Sequence, residues 1–266
     1  MRQIIILFFL TTFFHNAYSQ DESLQLKLDS IISEADLMYK YEKAVWNSTD
    51  LLMGNIRLKK KYDGYVVRHS GDSIFVTYYG KNQKESIARY TYIATNLNKP
   101  LLVSMESSPL KISEKELLDI KIKMINQLSD SKYNVTIQEG YSPNLILFKE
   151  NTGFKLYIVM GTTESGVIPF GNDYLFWADS EGIIIRWKKF HSRMIPAYSK
   201  GSNGEKVVTS FHSHLKTTPH ITATDICTFR LYGELCKMEV FGVLCTATGK
   251  YYKYNLKTNK IEIEEQ

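Results

Sequence analysis

The segment FHSHLKTTPHITATD (Phe211–Asp225) holds three of the chain's six histidines. His212 and His214 stand one residue apart. Side chains of an extended strand alternate between faces, so both imidazoles project to one side and Ser213 to the other. Neutral imidazole is a good zinc ligand, and a carboxylate can serve as a third. Asp225 is the candidate for that place. The intervening LKTTPHI is long enough to turn the chain back, and Pro219 suits a loop. Three protein ligands leave the fourth zinc position to water, which is the catalytic arrangement. A plainer reading exists for part of this set. Thr222-x-x-Asp225 is also a helix start, in which the hydroxyl caps the helix and the carboxylate meets its dipole with no metal needed.

The elements that must position these residues are legible from periodicity. KVVTSFHSH reads as the strand carrying both histidines, and ATDICTFRLYGEL as the helix whose first turn holds Asp225. EVFGVLCTATGKYYKYNLKTNKIEI follows as a closing hairpin. Upstream, NVTIQ, NLILFKE, FKLYIVMG, YLFWAD and IIIRWKKF read as strands, with ENTG and DSEG as turns between them. The first part of the chain has a helix from Leu24 towards Trp46 and a hairpin, Tyr65–Arg68 with Ile74–Tyr78, around Ser70-Gly71-Asp72. SIARYTYIAT adds a strand. ISEKELLDIKIKMINQLSD reads as a helix, with Ser113 and Glu116 as its capping box. The expected class is α+β: an N-terminal α+β region over 21–130, then a mixed, β-rich domain over 131–266 with flanking helices.

The remaining histidines have simpler expectations. His220 lies in the loop and is expected to be exposed. His191, at the end of a β run, could line the same cleft, but a satisfied or surface role is the default. His69 adjoins a turn. Asp173 belongs first to the turn signal Gly171-Asn172-Asp173.

The frame His212-x-His214, seven residues, Thr222-x-x-Asp225 resembles the signature of the JAMM (MPN/JAB) metalloproteases. Thr222 stands where the family has Ser and keeps the hydroxyl; Leu215 stands where Pro often follows the second histidine. The family also uses an upstream glutamate, and ESGVIPFG (Glu164–Gly171) resembles that element. The resemblance covers about residues 155–260. It implies a JAMM-like fold for the C-terminal domain, with Zn2+ on His212, His214 and Asp225. It also implies Glu164 as general base and then acid, Thr222 as oxyanion stabiliser, and cleavage of a peptide or isopeptide bond by metal-activated water. The alternative is a non-catalytic binding protein on a JAMM-like scaffold.

The N-terminus carries Arg2, the apolar run Ile4–Phe14 and the small residues Ala17 and Ser19, the pattern of a signal peptide over 1–20. Export to the periplasm or beyond is expected, and a peptide or protein of the cell envelope is the conjectured substrate. No later segment is apolar enough to cross a membrane. A net charge of +5 is mild and scattered, with no recognisable nucleic-acid motif, so no nucleic-acid partner is expected. Cys227, Cys236 and Cys245 form an odd set: one disulfide plus a thiol, or three buried thiols.

Overall fold

The computed structural model describes residues 22–265 in side-chain detail and carries its first helix back to Arg2. The signal-peptide reading falls on residues outside that range. Among the described residues no helix is long and apolar enough to cross a membrane.

The molecule is a mixed α+β protein with β-rich sheets and few helices. Helix α1 (Arg2–Met53) and the short α2 (Ile56–Lys61) lead into an antiparallel sheet. This consists of β1 (Tyr62–Ser70), β2 (Ser73–Gly80), β3 (Glu85–Ile93), β4 (Leu102–Ser104) and β5 (Ser108–Pro109). The β1–β2 turn falls at Ser70–Ser73, where Gly71 takes a φ of 54° that its lack of a Cβ permits.

Helix α3 (Ile112–Gln127) follows. Its capping differs from the expected Ser113–Glu116 box. The helix begins two residues earlier, with Lys111 rather than Ser113 as N-cap, and Glu114 accepts a hydrogen bond from the Lys111 amide at 2.8 Å. Glu114 also pairs with Arg89 at 2.7 Å, so a tertiary ion pair fixes which glutamate turns inward. Glu116 faces outward to Lys149.

The second sheet has the order β10-β9-β7-β6, from β6 (Ser142–Glu150), β7 (Gly153–Gly161), β9 (Tyr174–Ala178) and β10 (Ile184–Lys189). Two short strands, β8 (Val167–Ile168) and β11 (Ala197–Tyr198), pair beside it. The strand expected over NVTIQ does not form: a 3-10 turn at Ser131–Tyr133 ends on Asn134 with φ 47°, and residues 134–138 run on without ladder bonds.

The last sheet has the order β12-β13-β14-β15. Strand β12 (Thr209–His214) lies parallel to β13 (Val240–Cys245), and α4 (Ala223–Tyr232) lies between them in sequence. A parallel pair requires a crossover, and α4 supplies it. β14 (Lys250–Asn255) and β15 (Lys260–Glu265) complete a meander, one strand more than the expected hairpin. One apolar core runs from Leu28, Ala35 and Met38 of α1 through Ile226 and Phe229 of α4 to Phe241 and Tyr254. Asp36 of α1 accepts from both Arg230 and Asn259, tying the first helix to the last sheet. The three cysteines are free, buried thiols that pack as small apolar residues.

Candidate metal centre

Strand alternation places the two histidines as their spacing requires. His212 and His214 are buried, while Phe211 and Ser213 face outward. The parallel register sets His212 opposite Val243 and His214 opposite Cys245, so the imidazoles rise from a packed sheet. Phe170 and Phe241 flank His212, with ring centroids 5.3 and 6.3 Å away.

Thr222 is the N-cap of α4 and forms a capping box with Asp225. The Asp225 amide donates to Thr222 Oγ1 at 3.1 Å. Asp225 Oδ2 accepts from the Thr222 amide at 2.9 Å and from its hydroxyl at 2.6 Å. The capping reading therefore holds through Oδ2, and the same carboxylate turns Oδ1 towards the converging histidines. Oδ1 is buried, makes no hydrogen bond, and lies 3.2 Å from His212 Nε2.

His191 is the fourth member of the group: it is a buried, hydrogen-bonded histidine rather than a surface one, and it lines the same site, as the sequence allowed. Its Nε2 lies 2.7 Å from His214 Nε2 and 3.5 Å from Asp225 Oδ1. His212 Nε2 is 3.1 Å from His214 Nε2. One donor atom each from His191, His212, His214 and Asp225 falls within a 4.8 Å span. Zinc with arms of about 2.0–2.1 Å sets tetrahedral ligand atoms about 3.3–3.4 Å apart, and separations of 2.7, 3.1, 3.2 and 3.5 Å among these atoms bracket that value.

The outer hydrogen bonds fix which ring nitrogens face inward. His214 Nδ1 donates to the His220 carbonyl at 2.7 Å, which turns the Nε2 lone pair towards the centre. His191 Nδ1 lies 2.5 Å from Asp173 Oδ1, and Asp173 Oδ2 accepts from the Thr224 hydroxyl. A carboxylate behind a histidine in this way orients metal-binding imidazoles. Inward lone pairs this close, beside an oxygen with no hydrogen bond, repel one another unless a cation or proton lies among them. The donor set thus fits a metal ion.

With no ion among them, the side chains place a proton on His191, which a metal ligand has to give up. Burial disfavours a charged His191, but Asp173 and Asp225 outweigh it and raise its pKa to about 9. Burial, with the neighbouring imidazoles, lowers His214 to about 4. Burial works against an ionised Asp225, but the three histidines overcome it and hold this carboxyl well below its ordinary range.

The other expected site residues fall differently. The Thr222 hydroxyl is engaged within the cap, donating to Asp225. Glu164 is not among the converging donors; it sits exposed in the loop before β8 and lines a separate cleft. His220 contributes its carbonyl, and its ring bonds Tyr252 Oη at 2.9 Å. The signal that could have found His191 and Asp173 is the DSEG turn. Folding YLFWAD onto IIIRWKK about that turn pairs Tyr174 with Lys189, which brings the flanking Asp173 and His191 side by side.

No protein-family model, curated protein or solved structure matches this chain.

Proposed function

We propose that the chain is a zinc protein whose ion is held by His191, His212, His214 and Asp225, on a scaffold similar to that of the JAMM metalloproteases. The observation that carries the reading is the convergence of these four buried donors from a strand, a helix N-terminus and the segment after β10. Four protein donors make the closed set of a structural zinc, so the ion ties the His191 segment onto the β12–α4 unit. This is the non-catalytic form of the resemblance.

One observation favours the hydrolytic form. His212, His214, Thr222 and Asp225 keep the spacing of the metalloprotease frame, and the extra donor, His191, comes from an irregular segment rather than a strand or helix. In that reading zinc supplies Lewis-acid activation of water for amide hydrolysis by an exported protein, with His191 moved aside and Glu164 reaching the site.

Cobalt replacement separates the two. Mature protein is loaded with Co2+, desalted, and its visible spectrum followed while azide is added. A closed centre shows about one ion per chain and bands that azide leaves unchanged, with His191→Ala opening it to azide. Azide-sensitive bands in the wild type, with cleavage in a screen of peptides, establish the hydrolytic form. No metal retained by well-folded protein overturns both.

A further inference from the structure

A cleft of about 830 Å³ lies between α1, β1, the start of β6, the segment from the end of β7 to β8 and the C-terminal end of α4. This volume is within the range of small-molecule sites. α4 joins it to the metal centre: Asp225 opens the helix there, and Tyr232 closes it here, about 10 Å along the axis at 1.5 Å per residue.

The lining is unlike the rest of the chain. Lys and Arg outnumber Asp and Glu by 33 to 28, yet among the described residues no Lys, Arg or His lines this cleft. Three carboxylates do: Glu42, Asp50 and Glu164. Four aromatic rings stand with them, Trp46, Tyr62, Tyr65 and Tyr232. Asp50 and Glu164 are exposed and form no ion pair among the described residues.

Glu42 gives an independent indication. It is only 6 % exposed, and its carboxylate makes no ion pair or hydrogen bond with the described residues. Buried carboxylates are normally paired, because an unpaired charge away from water is costly. Lys121, which lines a small cavity with Glu42, turns to the Tyr65 carbonyl at 3.1 Å and lies over the Tyr65 ring at 4.1 Å. Lys43 lies 5.6 Å from the Trp46 ring centre. Each lysine takes one face of its ring, and no such contact is made by Tyr62 or Tyr232 among the described residues.

From the unpaired Glu42, the unpaired surface carboxylates and the aromatic walls we infer that this cleft binds an organic cation, a guanidinium or alkylammonium group. Rings offer a cation their electron-rich faces, and the carboxylates neutralise it. The inference is independent of the metal. It gives Glu164 a role at its observed position, as one wall of a cation site.

Calorimetric titration of the full mature chain tests it with two matched pairs of probes. Arginine amide is compared with citrulline amide, and choline with its neutral isostere 3,3-dimethylbutan-1-ol. Each cation is expected to saturate the protein and to bind at least about tenfold more tightly than its neutral counterpart. The double variant Asp50→Asn/Glu164→Gln changes only surface positions and is expected to weaken cation binding at least about tenfold with the melting temperature unchanged. Glu42→Gln is expected to act in the same direction. Equal binding of cation and neutral partner, no saturable heat with either cation, or undiminished binding in the double variant overturns the inference.

Discussion

Oδ2 of Asp225 is occupied by the helix cap and lies 3.5 Å from His214 Nε2, while Oδ1 faces Nε2 of His191 and His212. Asp225→Asn separates the two functions. The amide still offers an oxygen to Thr222, so the helix start loses no more than the dipole term of about 0.3–1 kcal/mol. The charged donor is gone, however, and zinc affinity is expected to fall at least about tenfold. His191→Ala is expected to lose zinc affinity on the same scale, whereas His220→Ala is expected to retain it, because His220 serves the site through its backbone carbonyl. Competition against a zinc chelator of known affinity measures all three. Zinc bound normally by His191→Ala would remove this residue from the ligand set.

Among the elements, β12 and α4 were the most legible. A two-residue period and a T-x-x-D start are local signals, and each depends on backbone geometry alone. Local signals failed where a distant partner decided the outcome. Arg89 selects Glu114 over Glu116 as the inward carboxylate of α3, and no property of residues 112–116 announces that. His191 joined the site through the pairing of β9 with β10, a contact across a turn that histidine spacing by itself does not show. The resemblance to a metalloprotease frame names three of the four converging donors, while Glu164, which it names as the base, lines the separate cleft. The α4 cap offers a test at this scale. Thr222→Val removes the hydroxyl that both accepts from and donates to Asp225, and is expected to cost about 1 kcal/mol in stability and weaken zinc binding, with Thr222→Ser restoring both. Stability by denaturant titration and zinc competition on the same samples check it; a stability loss with unchanged zinc affinity shows that the cap does not position the ligand.

The buried face of α1 offers another. Burial raises the Glu42 carboxyl to about 7, with Lys121 acting in the opposite direction. A carboxyl whose folded pKa is raised contributes stability that is full below its ordinary value and is lost as pH rises through about 7. Lys121, lowered to about 8 by burial, is held up in part by the Glu42 charge and is lowered further in the variant, which acts in the same direction as pH rises. Glu42→Gln cannot ionise, so its melting temperature relative to wild type is expected to increase between about pH 5 and pH 8. Paired thermal melts across that window measure the difference, and a difference that stays flat or falls means that the ionised Glu42 is well accommodated.

At the scale of the whole molecule, the reading by sequence divides the chain near residue 130, but the apolar core continues across that point. Tyr41 of α1 packs edge-on against Phe148 of β6, Trp46 meets Tyr232 of α4 at 5.3 Å, and Asp36 holds both α4 and the β14–β15 turn. Elements that share a core tend to unfold together, so zinc bound at the N-terminal end of α4 should stabilise α1 as well. With free zinc at about a hundred times its dissociation constant, the added stability is about 2.7 kcal/mol. For a chain of this size each 1 kcal/mol moves the melting temperature by about 2–4 °C, so a rise of about 5–10 °C is expected. Trp46 emission reports α1 in a Trp177→Phe/Trp187→Phe background, while far-ultraviolet circular dichroism reports the whole chain. Both signals should melt together without zinc and shift together with it, and the shift should vanish in His212→Ala/His214→Ala. Two separated transitions, with Trp46 insensitive to zinc, would instead show that the N-terminal region folds as a unit of its own and that its contacts with α4 are too weak to couple it to the metal.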